Sequence, residues 1–214
     1  NKTIASVVTF ARLSAAVGLT TESVDAAWES VKNAANPALH ILIPTSAVQM
    51  EYVCHKKAPA MLELAKALVE RARSHTEQVE FSALDATRAE PAVLCQFLNA
   101  ALEAGAKTIT LCDSAGIMTP DECAAFVRDI LEKVPALKGV ELGVELSNNL
   151  KMAVACAAAA VDAGAVVVKT TVTQMEIPTV KAFAAYMTAR GESKGLCCSL
   201  RTTELAQAVS QLKW

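Results

Sequence analysis

Two kinds of apolar pattern alternate along the chain. Short runs rich in Val, Ile, Leu and Thr, four to six residues long, are typical of β-strands. Between them, apolar residues recur every three or four positions, as at Leu64, Leu68 and Ala72, which is the spacing of one face of a helix. The pattern predicts strands at 39–43, 78–82, 107–112, 142–146 and 166–171, with a weaker one at 196–199.

One unit occurs twice: an Ala-rich helix, then Ala-Gly-Ala, then a strand. Helix 94–103 leads through Gly105 into strand 107–112, and helix 153–162 leads through Gly164 into strand 166–171. A glycine directly after a helix adopts the positive φ that ends the helix and turns the chain. The repeat therefore predicts tight helix-to-strand connections.

Helix starts are also marked in the sequence. Thr119-Pro-Asp-Glu122 has the residues of a capping box with proline in the first turn. Thr20 or Thr21 similarly begins a helix that runs through Trp28 and Val31. No strand is predicted before this helix, so the first predicted element is helical.

Strands that alternate with helices of ten to fifteen residues predict parallel β-α-β units. A dinucleotide-binding open sheet is disfavoured because no Gly-x-Gly-x-x-Gly follows a strand. We therefore predict an α/β fold, a (β/α)8 TIM barrel that forms one domain over residues 1–214. Since the pattern contains five or six strands of the eight required, the barrel is expected to lack its first strand or strands.

Composition narrows the range of partners. Apolar residues make up 53% of the chain and aromatic residues 4%, and the net charge is −2. With lysine and arginine scattered, no basic surface for nucleic acid or anionic membrane is predicted. No apolar run is long enough to cross a bilayer, so we expect a cytoplasmic protein.

Three stretches resemble motifs of the metal-dependent isopropylmalate synthase, homocitrate synthase and hydroxymethylglutaryl-CoA lyase family. Val79-Glu-Phe-Ser-Ala-Leu-Asp-Ala-Thr-Arg88 is similar to Val-Glu-Phe-Ser-x-Glu-Asp-Ala-x-Arg. Cys112-Asp-Ser-Ala-Gly-Ile-Met-Thr-Pro120 is similar to Asp-Thr-x-Gly-x-x-Thr-Pro. His40-Ile-Leu-Ile-Pro-Thr-Ser46, followed by Met50-Glu-Tyr52, is similar to His-x-Phe-Ile-Ala-Thr-Ser followed by His-Met-x-Tyr. The likeness runs from about residue 20 to the end.

The resemblance implies a Claisen-type condensation of acetyl-CoA with a 2-oxo acid on a divalent metal ion, in amino-acid biosynthesis. The family holds this metal with an opening Asp-Arg-Asp or Asp-Arg-Glu motif, a His-x-His pair and often an Asn in a Gly-rich loop. Here Glu145 and Ser147 stand at the His-x-His positions, residues 173–178 replace the Gly-rich loop, and Leu84 replaces a glutamate. The opening motif is not found, so the metal that the family implies lacks its ligands. Glu145 with Ser147 offers at most a weak Mg²⁺ site.

The motif positions that match carry the candidate site. Glu80, Asp85 and Asp113 are the catalytic candidates, and His40, Thr45, Arg88 and Ser114 are the candidates for substrate binding. Simpler roles stay open: Asp113 as a brace for the helix-capping loop, Asp85 and Arg88 as a local ion pair, and His40 as a hydrogen-bonded core or rim histidine.

Lys169 offers a second chemistry. The stretch 163–171 resembles the Schiff-base strand of deoxyribose-phosphate-type aldolases, although a rim lysine paired with an acid is the favoured interpretation.

Three functions follow from these alternatives. The first is a condensing acyltransferase. Because the metal ligands are missing, catalysis by this chain alone is not expected. A partner chain or homo-oligomer completes the barrel in this hypothesis. The second is a non-catalytic relative that serves as a partner or regulatory subunit, and the third is an aldolase that uses Lys169.

Overall fold

In the computed structural model, which describes residues 2–172 and 176–211, six strands pair in parallel, in their order along the chain. The strands are β1 Leu13–Val17, β2 Pro37–Pro44, β3 Val79–Leu84, β4 Thr108–Asp113, β5 Glu141–Leu146 and β6 Val167–Val168. The helices are α1 Lys2–Ala5, α2 Thr21–Val31, α3 Ala47–Tyr52, α4 Ala58–Arg73, α5 Pro91–Glu103, α6 Pro120–Lys133, α7 Ala153–Asp162, α8 Val180–Arg190 and α9 Thr202–Ser210. Short 3₁₀ turns lie at Ala86–Arg88, Pro135–Gly139 and Glu192–Lys194.

Consecutive strand order distinguishes this sheet from a doubly wound one, whose order reverses at a switch point. The sheet curls into a part of a (β/α)8 TIM barrel, with helices between successive strands. The predicted fold class is therefore confirmed. Within the described residues, β1 pairs only with β2 and β6 pairs only with β5.

Alternation along the strands sorts side chains between two faces. One face carries large aliphatic and aromatic residues that pack against the helices, including Ile41, Phe81 and Ile109, all fully buried. Burial of each such side chain contributes about 1.5–3 kcal/mol. The opposite face lines the barrel lumen and carries polar residues at alternate positions.

The predicted helix boundaries follow from local capping. Thr20 accepts a hydrogen bond from the Ser23 N–H and caps α2, and Thr119 forms the full capping box with Glu122. Gly105 and Gly164 have φ of 101° and 118°, the positive values predicted for them after α5 and α7. These helices therefore end and turn into strands as the repeat predicts.

Two strand predictions are wrong. β1 lies before α2, where no strand was expected; Leu13-Ser-Ala-Ala-Val17 has small residues at its lumen positions and lacks a β-branched run. Residues 196–199 form no strand: they follow the 3₁₀ turn at Glu192–Lys194, and among the described residues they pair with no strand of the sheet. The strand predicted at 166–171 is shorter, with only Val167–Val168 in the sheet.

None of the helices within 2–172 and 176–211 combines the length and the apolar character that spanning a bilayer requires.

Candidate functional site

Polar side chains from neighbouring strands meet on the lumen face of the sheet. His40 on β2 is opposite Glu80 on β3, and Ser82 on β3 is opposite Thr110 on β4. Because directly paired residues point to the same face, these side chains share the lumen. The candidate site therefore begins as a polar surface inside an apolar shell.

Glu80 is the centre of this lumen network. Lys169, directly after β6, brings its Nζ to 2.6 Å from Glu80 Oε1 and 2.8 Å from Oε2. The Thr110 hydroxyl donates to Oε1 at 2.7 Å. Burial by itself would raise the pKa of Glu80, but attraction to the protonated form of His40 and the hydrogen bonds from Lys169 and Thr110 hold it below its usual value.

His40 is largely enclosed. Its Nε2 lies 2.6 Å from the hydroxyl oxygen of the buried Ser82 and 3.7 Å from Glu80 Oε1. Burial lowers the pKa of His40, and the nearby charge of Lys169 lowers it further, while Glu80 acts in the opposite direction. The imidazole is therefore neutral near pH 7 and bonded to Ser82, in keeping with a core or rim histidine.

Two further titratable groups complete the lumen. Glu145 on β5 is opposite Cys112 on β4. Burial raises the pKa of Glu145, an effect that Lys169 opposes and Glu80 reinforces. Burial also raises the pKa of the Cys112 thiol well above its usual value, so Cys112 is a protonated thiol rather than a nucleophilic thiolate.

Asp85, in the loop after β3, is held in place by burial and by hydrogen bonds to neighbouring loops. Asp85 is fully buried at φ 57°, and its carboxylate accepts hydrogen bonds from the Ser46 hydroxyl and from Arg88 Nε, the latter at 2.8 Å. Its backbone N–H donates to the Ser114 hydroxyl at 3.0 Å. Thr45 is likewise buried and donates to the Leu84 carbonyl. Asp85 thus joins three loops, and its pairing with Arg88 matches the simpler of the two roles considered.

Asp113 braces the loop after β4. Its Oδ1 accepts from the Thr87 hydroxyl at 2.8 Å and from the Gly116 N–H at 3.1 Å. This geometry favours the bracing role over direct contact with a substrate. Arg88, by contrast, keeps 44% of its side chain exposed beside Asp85. It is the predicted site residue most accessible to an incoming anion.

Ser147, at the second position of the family's His-x-His pair, is packed under the loop after β4. Its N–H donates to the Asp113 carbonyl, and Gly116 approaches so closely that an added Cβ would lie 2.7 Å from the Ser147 carbonyl oxygen. Asn149 bonds the Ala115 carbonyl from the same side. Ser147 therefore contributes to loop packing.

The residues present do not fit the divalent metal that the family implies. Among the described residues, no three His, Cys, Asp or Glu side chains converge closely enough to hold a metal ion. Glu145 and Ser147 supply one carboxylate and one packed hydroxyl, too few oxygen ligands for Mg²⁺ or Mn²⁺. Of the loop predicted at 173–178, residues 173–175 lie outside the described residues; Glu176 accepts a backbone hydrogen bond from Asn148.

Sequence reasoning missed several contributors to the lumen. Ser82, Thr110 and Cys112 were not singled out, although each stands at an alternate polar position of a strand whose other positions are apolar. Arg12 was also missed. It lies just before β1, donates to Glu141 at 2.8 Å on the far side of the lumen, and has no local motif that marks it.

Comparison with known proteins connects this geometry to a family. The model of the family described as HMGL-like matches residues 1–176. A 2-isopropylmalate synthase of Pelotomaculum thermopropionicum is 42% identical over 144 residues, which are 67% of this chain and 28% of that protein. A 2-isopropylmalate synthase of Syntrophus aciditrophicus is 37% identical over 149 residues, 70% of this chain and 29% of that protein. The chain thus spans less than a third of the length of these relatives.

Solved structures show the same fold at low identity. HMG-CoA lyase from Brucella melitensis matches with a TM-score of 0.73 at 14% identity, over 92% of this chain and 71% of that one. Hydroxymethylglutaryl-CoA lyase from Pseudomonas aeruginosa matches with a TM-score of 0.72 at 16% identity, over 96% of this chain and 71% of that one. These likenesses support the barrel fold.

Proposed function

Because the chain belongs to the HMGL-like family, we propose that it is a subunit of a 2-isopropylmalate synthase-like acyltransferase. The reaction class is the condensation of an acyl-CoA with a 2-oxo acid. The observation that carries this proposal is the 36–42% identity over two thirds of the chain to proteins named 2-isopropylmalate synthase.

In this proposal the chain does not catalyse the reaction alone. Its lumen lacks a metal-binding cluster among the described residues, and a polarising cation is worth several kcal/mol in such chemistry. A partner chain, or a second copy, supplies the missing groups. Strand addition at the outer edges of β1 and β6, which pair with no further strand among the described residues, is the physical route, since an exposed parallel edge is a template for pairing.

The site residues take different parts in this proposal. Arg88 and Ser114 contact the carboxylate of the 2-oxo acid, because Arg88 is the accessible cation at the mouth and Ser114 lies within the same hydrogen-bonded loop cluster. Asp85 and Asp113 position that cluster. His40 and Glu80 form the floor of the lumen below it, and Thr45 fixes the loop after β2 through the Leu84 carbonyl.

A second candidate is a non-catalytic barrel that binds or regulates an intact synthase. The observation in its favour is that Ser147, at a former metal position, lies against Gly116, and that Glu145 belongs to no group of three potential ligands among the described residues. A third candidate, the Schiff-base aldolase, is less well supported. The Nζ of Lys169 is engaged by both carboxylate oxygens of Glu80, so it is not free to attack a carbonyl carbon.

The test is an assay of thiol release from acetyl-CoA with 2-oxoisovalerate or 2-oxoglutarate in the presence of Mn²⁺. It compares the purified chain with the assembly isolated from the native source. We expect release by the assembly and none by the chain alone. Arg88→Met in the assembly should lower kcat/KM roughly 10- to 100-fold, the value of one charged hydrogen bond.

The matched control is Arg128→Met, an exposed arginine on α6 away from the mouth, which should leave kcat/KM unchanged. Absence of thiol release from the assembly as well would contradict the condensing function and favour the regulatory one. A borohydride-trapped adduct on Lys169 with a keto or aldehyde substrate would instead support the aldolase.

A further inference from the structure

The lumen already contains a cation of its own. Lys169 contacts both carboxylate oxygens of Glu80, at 2.6 and 2.8 Å, and its side chain is only about one quarter exposed. This is the bidentate, partly enclosed environment in which a carboxylate holds a bound cation. No other lysine or arginine of the described chain bonds to Glu80.

The side-chain atoms of Glu80 and His40 that could bind a metal ion already have hydrogen-bond partners. Glu80 Oε1 accepts from both Lys169 and Thr110, and Oε2 accepts from Lys169. His40 uses Nε2 for Ser82. Cys112 is buried as a thiol. A divalent ion would therefore have to displace formed hydrogen bonds before it gained Glu80 or the Nε2 of His40 as a ligand.

The charge of Lys169 acts on several strands at once. It favours the ionised form of Glu80 on β3 and of Glu145 on β5, and it disfavours the protonated form of His40 on β2. One positive charge thus balances acids from two strands. A resident metal ion would have the same electrostatic effect.

We infer that Lys169 is a built-in cation that takes the electrostatic place of a divalent metal ion in this lumen and keeps such an ion from binding between the carboxylates of Glu80 and Glu145. The position of Glu145, where the family has a metal-binding histidine, is consistent with this exchange of one cation for another. The inference concerns the lumen itself and holds whether the chain belongs to a working condensing enzyme or to a regulatory one.

The experiment measures uptake of Mn²⁺ from the free-ion EPR signal by the metal-stripped full chain. We expect the wild type to leave the signal unchanged and Lys169→Met to reduce it, since the substitution frees the Glu80 carboxylate and removes the competing charge near Glu145. Lys169→Met with Glu80→Gln should again leave the signal unchanged. The Met side chain keeps most of the length of lysine, so the difference reports on charge.

Thermal melts followed by circular dichroism check folding. Loss of the partner of the enclosed Glu80 should lower the Tm of Lys169→Met by roughly 5 °C, and the added Glu80→Gln should restore most of it. If the Met variant does not fold, Lys169→Gln keeps a hydrogen-bond donor for Glu80 without the charge and takes its place.

Uptake of Mn²⁺ by the wild type would overturn the inference, and so would a folded Lys169→Met or Lys169→Gln chain that takes up no more Mn²⁺ than the wild type. Neither result depends on thiol release from acetyl-CoA. Failure of this inference is therefore distinguishable from failure of the proposed condensing function.

Discussion

At the scale of single residues, the lumen shows which polar groups a local pattern reveals. Glu80 and Ser82 alternate with Val79, Phe81 and Ala83, so the strand itself indicates that they share a face opposite the core. The sequence also predicted a pairing with an acid as one of two roles for Lys169. It could not indicate which acid, because Glu80 lies 89 residues earlier and no local spacing connects the two residues.

Glu145 provides a prediction about pH. Burial raises its pKa above the usual value of 4.5. Its ionisation therefore costs folded-state stability: the cost is absent below the unfolded pKa, grows as pH rises towards the folded pKa and is complete above it. Glu145→Gln should raise the Tm by on the order of 2 °C at about pH 7.5 and leave it unchanged near pH 4.

The measurement is a pair of thermal melts at the two pH values, with Glu103→Gln on the exposed end of α5 as the control. A fall in the Tm of Glu145→Gln at the higher pH would contradict this prediction and show that ionised Glu145 makes a stabilising contact.

At the scale of elements, the helices could be predicted from their capping residues, whereas β1 could not be predicted because its residues are small. The Thr119 capping box and the glycines after α5 and α7 act within four residues of the chain, so their structure follows from local sequence. β1 could not be recognised in the same way. Its strand conformation depends on pairing with β2, from Leu13 with Pro37 to Val17 with Ile41, which a local pattern does not contain.

The loop after β4 gives the second prediction. Gly116 has φ 62°, and an added Cβ would lie 2.7 Å from the Ser147 carbonyl oxygen. Gly116→Ala therefore combines a strained backbone with a clash against another loop, and we expect it to reduce the free energy of unfolding by about 2 kcal/mol. Urea denaturation measures the difference.

Gly139→Ala is the matched control. Gly139 has an ordinary φ, and an added Cβ there meets no atom within 4 Å. It should be neutral or slightly stabilising, because alanine lowers the entropy of the unfolded chain. Equal losses in the two variants would mean that the contact between Gly116 and Ser147 does not hold the loops together.

At the scale of the whole molecule, two ion pairs of the described residues cross the lumen. Lys169 connects the end of β6 to β3, and Arg12 connects the start of β1 to Glu141 on β5, where Thr108 also donates to the same carboxylate. Both join parts of the sheet that are not neighbours. They therefore stabilise the curvature of the six-stranded sheet by connecting distant strands across the lumen.

The Arg12 brace is the weaker of the two, which leads to a third prediction. The side chains of Arg12 and Glu141 are both more than 40% exposed, so water and salt screen the attraction between them. Arg12→Met should cost at most about 1 kcal/mol of unfolding free energy, with a smaller cost at high salt. Urea denaturation at low and high salt, with Arg128→Met as the control, checks this. A larger, salt-independent loss would show that Arg12 acts through packing.

The extent of the domain stays a prediction. One hydrophobic core cluster runs from Ala15 to Ala165, which fits a single barrel domain over residues 1–214. The family match ends at residue 176, and α9 contributes no buried residue. Partner chains and oligomeric state likewise stay predictions, addressed by the native assembly in the thiol-release assay.

The sequence by itself determined the alternation of strands and helices, the caps, the barrel class and the family motifs. All of these depend on residues close together in the chain or on motifs preserved as short runs. Only the tertiary structure decided which charges meet. Glu80 with Lys169, Arg12 with Glu141 and Gly116 with Ser147 are distant in sequence, and they come together because a curled parallel sheet carries alternate side chains of separate strands into one lumen.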